Sequence, residues 1–207
     1  MGLSTYEDMI MGCQYSQTEI KSRPTITEDV EVMADGSIPE PPPPAPTDPR
    51  LPLDARQVFK LKKSWKGIKR CIESTGVEMF IRMFRTNSDS KGIFKQFKDL
   101  KNDDELRVSE TLEQHATAVM NIIDDAIMNI ENVDYVFELL NSNGRRHSSY
   151  EGFSPPFFWF IEKPFLDAVK ITLSDRYTDN MDGIYKITIK FILENLTKGA
   201  ESANGIS

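Results

Sequence analysis

Residues 109–130 read SETLEQHATAVMNIIDDAIMNI, and this stretch decides the fold. Ser109 stands where a helix N-cap is expected, just before the apolar period begins at Leu112. Leu112, His115, Val119, Ile122, Ile123, Ala126, Ile127 and Ile130 then fall on one face at helical spacing, not at the alternation of a strand. A polar imidazole lies inside that apolar face, and it is one of only two histidines in the chain.

Working outward, helical periods recur on both sides. Asp54 reads as an N-cap with Gln57 three residues on, and Leu53 and Val58 form a hydrophobic staple. Val58, Leu61, Trp65, Ile68 and Ile72 follow on one face. Ser74-Thr75-Gly76 is expected to interrupt the helix before a second stripe of Met79, Phe80, Met83 and Phe84. Phe94 and Phe97 lie three apart in a short segment, and Asn102 to Glu105 reads as a polar corner. Residues 133–147 form a shorter helix weakened by Asn141, Asn143 and Gly144. Pro155 and Pro156 suit a helix start, with Pro164 expected to bend the helix they open. The last helix begins at Asp179 or Asn180 and is lined by Ile184, Tyr185, Thr188, Phe191 and Ile192. No segment alternates at period two for long enough to make a strand. The class is all-α, with about seven helices expected.

The N-terminal quarter has another character. Residues 1–50 hold eight of the twelve prolines, and nine acidic residues against three basic ones. This net of −6 accounts for most of the chain's −7. Residues 1–52 therefore read as a disordered, proline-rich acidic tail, 53–200 as the folded domain and 201–207 as a short disordered end. The proline run from Pro39 to Pro49 reads as an extended spacer, with a PxxP ligand for a protein partner as the alternative. A nearly neutral body gives no reason to expect nucleic acid. No apolar run is as long as a membrane span, and no secretory signal opens the chain, so the expected location is cytoplasmic. The Met-Gly start approaches an acylation pattern but has Tyr6 where Ser or Thr is wanted. Membrane association is expected only if Gly2 is acylated. Cys13 and Cys71 lie in different regions and are expected to form neither a disulfide framework nor a CxxC metal site.

His147 ends the segment on which Val136, Leu140 and Asn143 share its face. Alone, His115 reads as a core histidine and His147 as a residue favoured by the helix C-terminus. Two histidines on two helices, with none elsewhere, suggest one shared centre. A zinc site wants three or four ligands at closer spacing. A flat apolar cofactor wants one or two nitrogen ligands and a wide aromatic wall, which Phe80, Phe84, Phe94, Phe97, Val119, Ile123 and Phe153 supply.

On these residues the chain resembles the globins from about Leu53 to Gly199. Ser64-Trp65 resembles the helix A motif. Gly76 followed by Met79 to Phe84 resembles helix B, where glycine lets helices B and E approach. Phe94 and Phe97 match the aromatic pair after helix C. Residues 109–120 match helix E and 143–147 the end of helix F. The 32-residue separation of the histidines, Phe80 on helix B and the Gly-Arg-Arg-His ending resemble neuroglobin-like and nematode-type neuronal globins. The chain departs from the family where Ser88 replaces the usual helix C proline, Asn143 a leucine beneath the haem and Met181 to Tyr185 the helix H tryptophan region, where Pro164 falls within helix G, and in lacking the cysteine pair of some neuroglobins.

The resemblance implies a three-over-three helical sandwich around haem b (iron protoporphyrin IX). His147 would be the proximal iron ligand, and His115 the distal residue or sixth ligand. Phe80, Phe94, Phe97, Val119, Ile123, Leu140 and Phe153 would contact the haem. Oxygen, nitric oxide and carbon monoxide are the implied ligands, in a sensor, redox or electron-transfer role with bis-histidine iron at rest. An oxygen carrier or store, and an enzyme of the nitric oxide dioxygenase or nitrite reductase type, are the alternatives, with a haem-free helical interaction module after them. No flavin or reductase motif accompanies the helices, which weighs against a dedicated enzyme.

Overall fold

A computed structural model describes residues 48–87, 90–94, 97, 100, 102–203 and 205. The expected tail falls largely on residues outside these, as do Ser88 and the expected C-terminal end apart from residues 201–203 and 205. Among the described residues the chain is helical without strands. The helices are α1 (Ala55–Lys69), α2 (Ile72–Thr86), α3 (Ser90–Ile93), α4 (Asp103–Arg107), α5 (Glu110–Met128), α6 (Val133–His147), α7 (Glu162–Leu173) and α8 (Asp179–Ala203). A 3-10 helix, Pro155–Ile161, leads into α7, and another, Ser174–Arg176, follows it. None of the described helices is long and apolar enough to cross a membrane.

Local chemistry sets the ends. The Asp54 side chain accepts the Gln57 N–H, and the Gln57 side chain accepts the Asp54 N–H in return, closing the expected capping box on α1. Ser109 and Asn102 cap α5 and α4 by accepting the amides of Leu112 and Glu105. The polar corner at 102–105 is thus the capped first turn of a short helix. The break expected at Ser74–Gly76 lies instead at Arg70–Cys71, and α2 runs straight through Gly76. Pro164 does not bend a helix interior. It is the third residue of α7, where its missing N–H has no intrahelical partner to lose. Cys71 is disulfide-bonded, which corrects the expectation that the cysteines form no disulfide.

The packing is that of a two-layer sandwich, α1, α5 and α6 over α2, α7 and α8. Trp65, Phe165, Tyr185 and Leu61 are buried at its centre, and Trp65 anchors α1 to α5 by donating its indole N–H to Asp124 at 2.8 Å. The packed body also takes in residues 48–52, which the sequence reading gives to the tail. Leu51 is buried, and the Arg50 guanidinium lies 5.4 Å from the Phe137 ring centroid while pairing with Asp134 at 2.7 Å.

Two helix pairs touch backbone to backbone. A Cβ on Gly76 of α2 would stand 2.8 Å from Met120 Cγ and 3.1 Å from the Ala116 carbonyl oxygen of α5. A Cβ on Gly144 of α6 would collide with the Leu196 carbonyl and reach 2.9 Å from the Ala200 nitrogen of α8, while one on Gly199 would collide with the Asn141 carbonyl. Gly144 is therefore what lets α6 dock, and it does not weaken the helix as expected. Replacing Gly144 or Gly199 by alanine is expected to cost about 3 kcal/mol or more. Gly183→Ala, in helical backbone with nothing within 4 Å, is expected to gain roughly 0.5–1 kcal/mol. Urea unfolding of the three variants measures both.

Candidate functional site

Helix α5 places its buried stripe differently from the expected one. Leu112, Ala116, Met120, Ile123, Ala126 and Ile127 are its buried residues, whereas His115, Val119 and Ile122 form a half-buried edge beside them. Leu112, Ile123, Ala126, Ile127 and Ile130 are buried as expected, and the difference lies in the middle turns, where the crossing with Gly76 draws Ala116 and Met120 inward and leaves His115 at the margin of the core. An imidazole at such a margin can face an opening instead of filling the interior.

Two rings hold that imidazole. The His115 ring centroid is 5.1 Å from that of Phe80 on α2 and 5.4 Å from that of Phe94, both edge-on. Phe80 and Phe94 are themselves edge-on at 5.9 Å, and Phe94 stacks at 5.6 Å on Phe97, which is fully buried. Phe84 joins the cluster at 5.6 Å from Phe94 and 5.9 Å from Phe97. Edge-to-face contacts at these separations add to burial by pairing ring edges with ring faces.

His147 closes α6 and has its own aromatic surround. Phe158 lies 5.0 Å away, Phe153 5.4 Å and Tyr150 5.9 Å, ring centroid to centroid. Its Nδ1 lies 2.8 Å from the Asn143 carbonyl oxygen one turn back, so the neutral ring donates there and turns a bare Nε2 outward. The carbonyl, not the Asn143 side chain, is the partner. That side chain donates to the Leu139 carbonyl at 2.8 Å, and Asn141 does the same to Phe137 at 2.7 Å. These bonds absorb polar groups that the sequence reading takes as helix-weakening. Arg145 is engaged elsewhere, donating to Glu138 at 2.7 Å.

Of the expected wall, Phe80, Phe97, Ile123 and Leu140 are buried, and Phe94, Val119 and Phe153 are half-buried. Phe80 and Phe94 meet His115, and Phe153 meets His147. Phe97 stands behind Phe94 as support. Sequence reading misses Phe158 as a neighbour of His147. Its place between Pro155–Pro156 and α7 reads as ordinary core, and only the 3-10 geometry turns it toward the ring. Tyr150, exposed at the rim, carries no signal at all in the sequence.

Both histidines have lowered pKa values. Burial is the main cause in each. For His115 the charge of a protonated His147 adds to it, and for His147 the Asn143 hydrogen bond partly opposes it while the Arg146 charge lowers it further. The two imidazoles are thus close enough for charge on one to disfavour charge on the other, and both are held as neutral nitrogen donors. Among the described residues no group of three or more His, Cys, Asp or Glu side chains is placed to hold a metal ion. The arrangement is two nitrogen donors from two helices, each backed by aromatic rings, and it suits a flat apolar ligand with a metal at its centre.

The globin family model matches residues 77–195. Among related proteins, cytoglobin-1 of Oryzias latipes is 29% identical over 118 residues, 57% of this chain and 67% of its own length. Cytoglobin-2 of the same fish is 29% identical over 127 residues, 61% and 71%. Globin-1 of Petromyzon marinus is 23% identical over 117 residues, 56% and 78%. A solved structure described as a hexacoordinated heme protein from an anhydrobiotic tardigrade is 40% identical with a TM-score of 0.72, covering 75% of this chain and 99% of that one. A neuroglobin-like character is compatible with these relatives.

The neutral imidazoles give the cofactor-free protein a defined acid response. A folded-state pKa below the ordinary 6.5 means that the unfolded chain binds more protons. Stability is unaffected by these groups above pH 6.5 and falls as the pH drops below it. Urea unfolding of the cofactor-free protein between pH 7.5 and 5.5 is expected to show that fall. His115→Leu and His147→Leu should each flatten it.

Proposed function

The chain belongs to the globin family, and we propose that it binds haem b between His147 and His115, with both imidazoles on the iron at rest. The observation that carries this reading is the pair itself: two nitrogen donors on α5 and α6, each packed against phenylalanine rings, with the charge of His147 disfavouring charge on His115. A solved relative described as hexacoordinated, at 40% identity, supports the six-coordinate form.

His147 is assigned as the proximal ligand through Nε2. Its Nδ1–H bond to the Asn143 carbonyl fixes the tautomer and keeps electron density on the ligating nitrogen. Phe153 and Phe158 shield that side from water. When bound, the haem iron supplies reversible coordination of small diatomic ligands and one-electron redox change. His115 is assigned the sixth position. To admit oxygen, nitric oxide or carbon monoxide it must first swing away, so apparent affinity scales with the fraction of open form. Once displaced, its imidazole N–H is a hydrogen-bond donor for a polar diatomic molecule in the distal space. Phe80 offers no hydrogen bond there, which favours release over long retention. A sensor, redox or electron-transfer role follows more readily from such self-blocked iron than bulk storage does.

Absorption spectra test the assignment. Protein reconstituted with haemin is expected to show a strong Soret band that His147→Ala loses or shifts. The deoxy ferrous form is expected to show sharp, split visible bands in the wild type and one broad band in His115→Leu, with tighter carbon monoxide binding in the variant. A single broad band already present in the wild type rules out the bis-histidine state.

A further inference from the structure

Glu78 is a carboxylate at 5% exposure in the middle of α2, on the helix that also presents Phe80 to His115. Both its oxygens are engaged. Arg82 donates from Nε to one at 2.7 Å, and Arg107, the last residue of α4, donates from Nη1 to the other at 2.9 Å. Arg82 in turn stands 3.9 Å from Asp167 of α7, and Arg85 of α2 pairs with Asp103 at the start of α4. Helix α4 is thereby tied to α2 at both of its ends.

Position explains why this tie matters. Only Val108 and Ser109 separate Arg107 from the first residue of α5. Neither is slack: Val108 N–H bonds to Asp104 and Ser109 N–H to Leu106, while the Ser109 side chain caps α5. Helix α5 is therefore held against α2 at two places, through Arg107 before its first turn and at the Gly76–Ala116 contact in its second. His115 lies between them. A carboxylate at this burial is costly unless charged partners satisfy it, so the clasp is either fully made or locally disruptive.

We propose that Glu78, clasped by Arg107 and Arg82, is a positioning residue that fixes the N-terminal turn of α5 and so sets how readily His115 leaves the distal position. The proposal rests on the bis-histidine reading above. It assigns control of the sixth position to a charged cluster on the same helix as Phe80, the ring that packs on His115. With the clasp made, His115 must rotate away against Phe80 and Phe94. With it broken, the start of α5 shifts and carries the imidazole off with the backbone.

Two readouts on the full chain test this. The first is the rate at which His115 dissociates and rebinds, taken from carbon monoxide recombination after flash photolysis of the haem-loaded protein. Arg107→Met is expected to speed dissociation at least ~5-fold. Glu78→Gln, which keeps the shape and loses the charge, is expected to do so by less, and the double variant by less than the product of the two. The second readout is amide hydrogen exchange over residues 109–118, measured with and without haem, which is expected to rise in both single variants. Trp65→Phe is the control. It removes the hydrogen bond to Asp124 at the other end of α5 and should lower thermal stability without changing His115 dissociation. Should Arg107→Met not accumulate as folded protein, Arg107→Lys supplies the same test, since it keeps the charge and loses the planar fork. Unchanged His115 kinetics or unchanged exchange in the clasp variants, with a six-coordinate wild type, overturns the clasp alone. So does an equal kinetic effect from Trp65→Phe. A wild type with an open sixth site overturns the coordination reading beneath it and the assignment with it.

Discussion

The site depends on how closely helix backbones approach one another. The two histidine-bearing helices, α5 and α6, make few contacts with each other. Each is held from behind, α5 against α2 where Gly76 meets Ala116 and Met120, and α6 against α8 where Gly144 and Gly199 interlock. The spacing between the imidazoles is thus a difference between two rigid dockings. Overpacking at any of these glycines would move a whole helix, and the histidine with it, because a packed core transmits displacement instead of absorbing it.

Electrostatics follows from that spacing. Two imidazoles in an aromatic surround are each disfavoured as cations. Burial penalises the imidazolium on each, and for His115 the other ring's charge adds to the penalty. The lost ionisation leaves neutral nitrogen lone pairs, the form that a transition metal requires. The same aromatic rings that exclude water also supply flat apolar surface on either side. The features that make the site a poor place for a proton make it a good one for a porphyrin.

Much of this was legible in residues. The helical periods and the Asp54 and Ser109 caps could be read from spacing and side-chain chemistry. Three things could not. Which residues of α5 are fully buried depends on a crossing point, so spacing does not distinguish the half-buried edge of His115, Val119 and Ile122 from the core beside it. Gly144 reads as a weakness in any single helix, because its function belongs to the partner α8, 52 residues away at Leu196. Phe158 and the Glu78–Arg107 pair were invisible for the same reason. Contacts between distant segments leave no periodic trace, and an acidic residue at an apolar helical spacing reads as solvent-facing until the arginine that meets it is known.

The two histidines are nevertheless not equivalent, and the difference lies in hydrogen bonding. His147 is fixed by a bond to the carbonyl of its own helix, one turn back, which constrains both the direction of the ring and its tautomer. Its helix is locked to α8 through interdigitated glycines. Among the described residues His115 has ring contacts alone, with Phe80 and Phe94. Such contacts fix the ring's direction and tautomer less tightly than a hydrogen bond does. One side of the slot is therefore built to hold its position and the other to yield it. The proposed exchange at the sixth position would draw on this asymmetry, since an iron held equally firmly from both sides would carry electrons but admit no ligand.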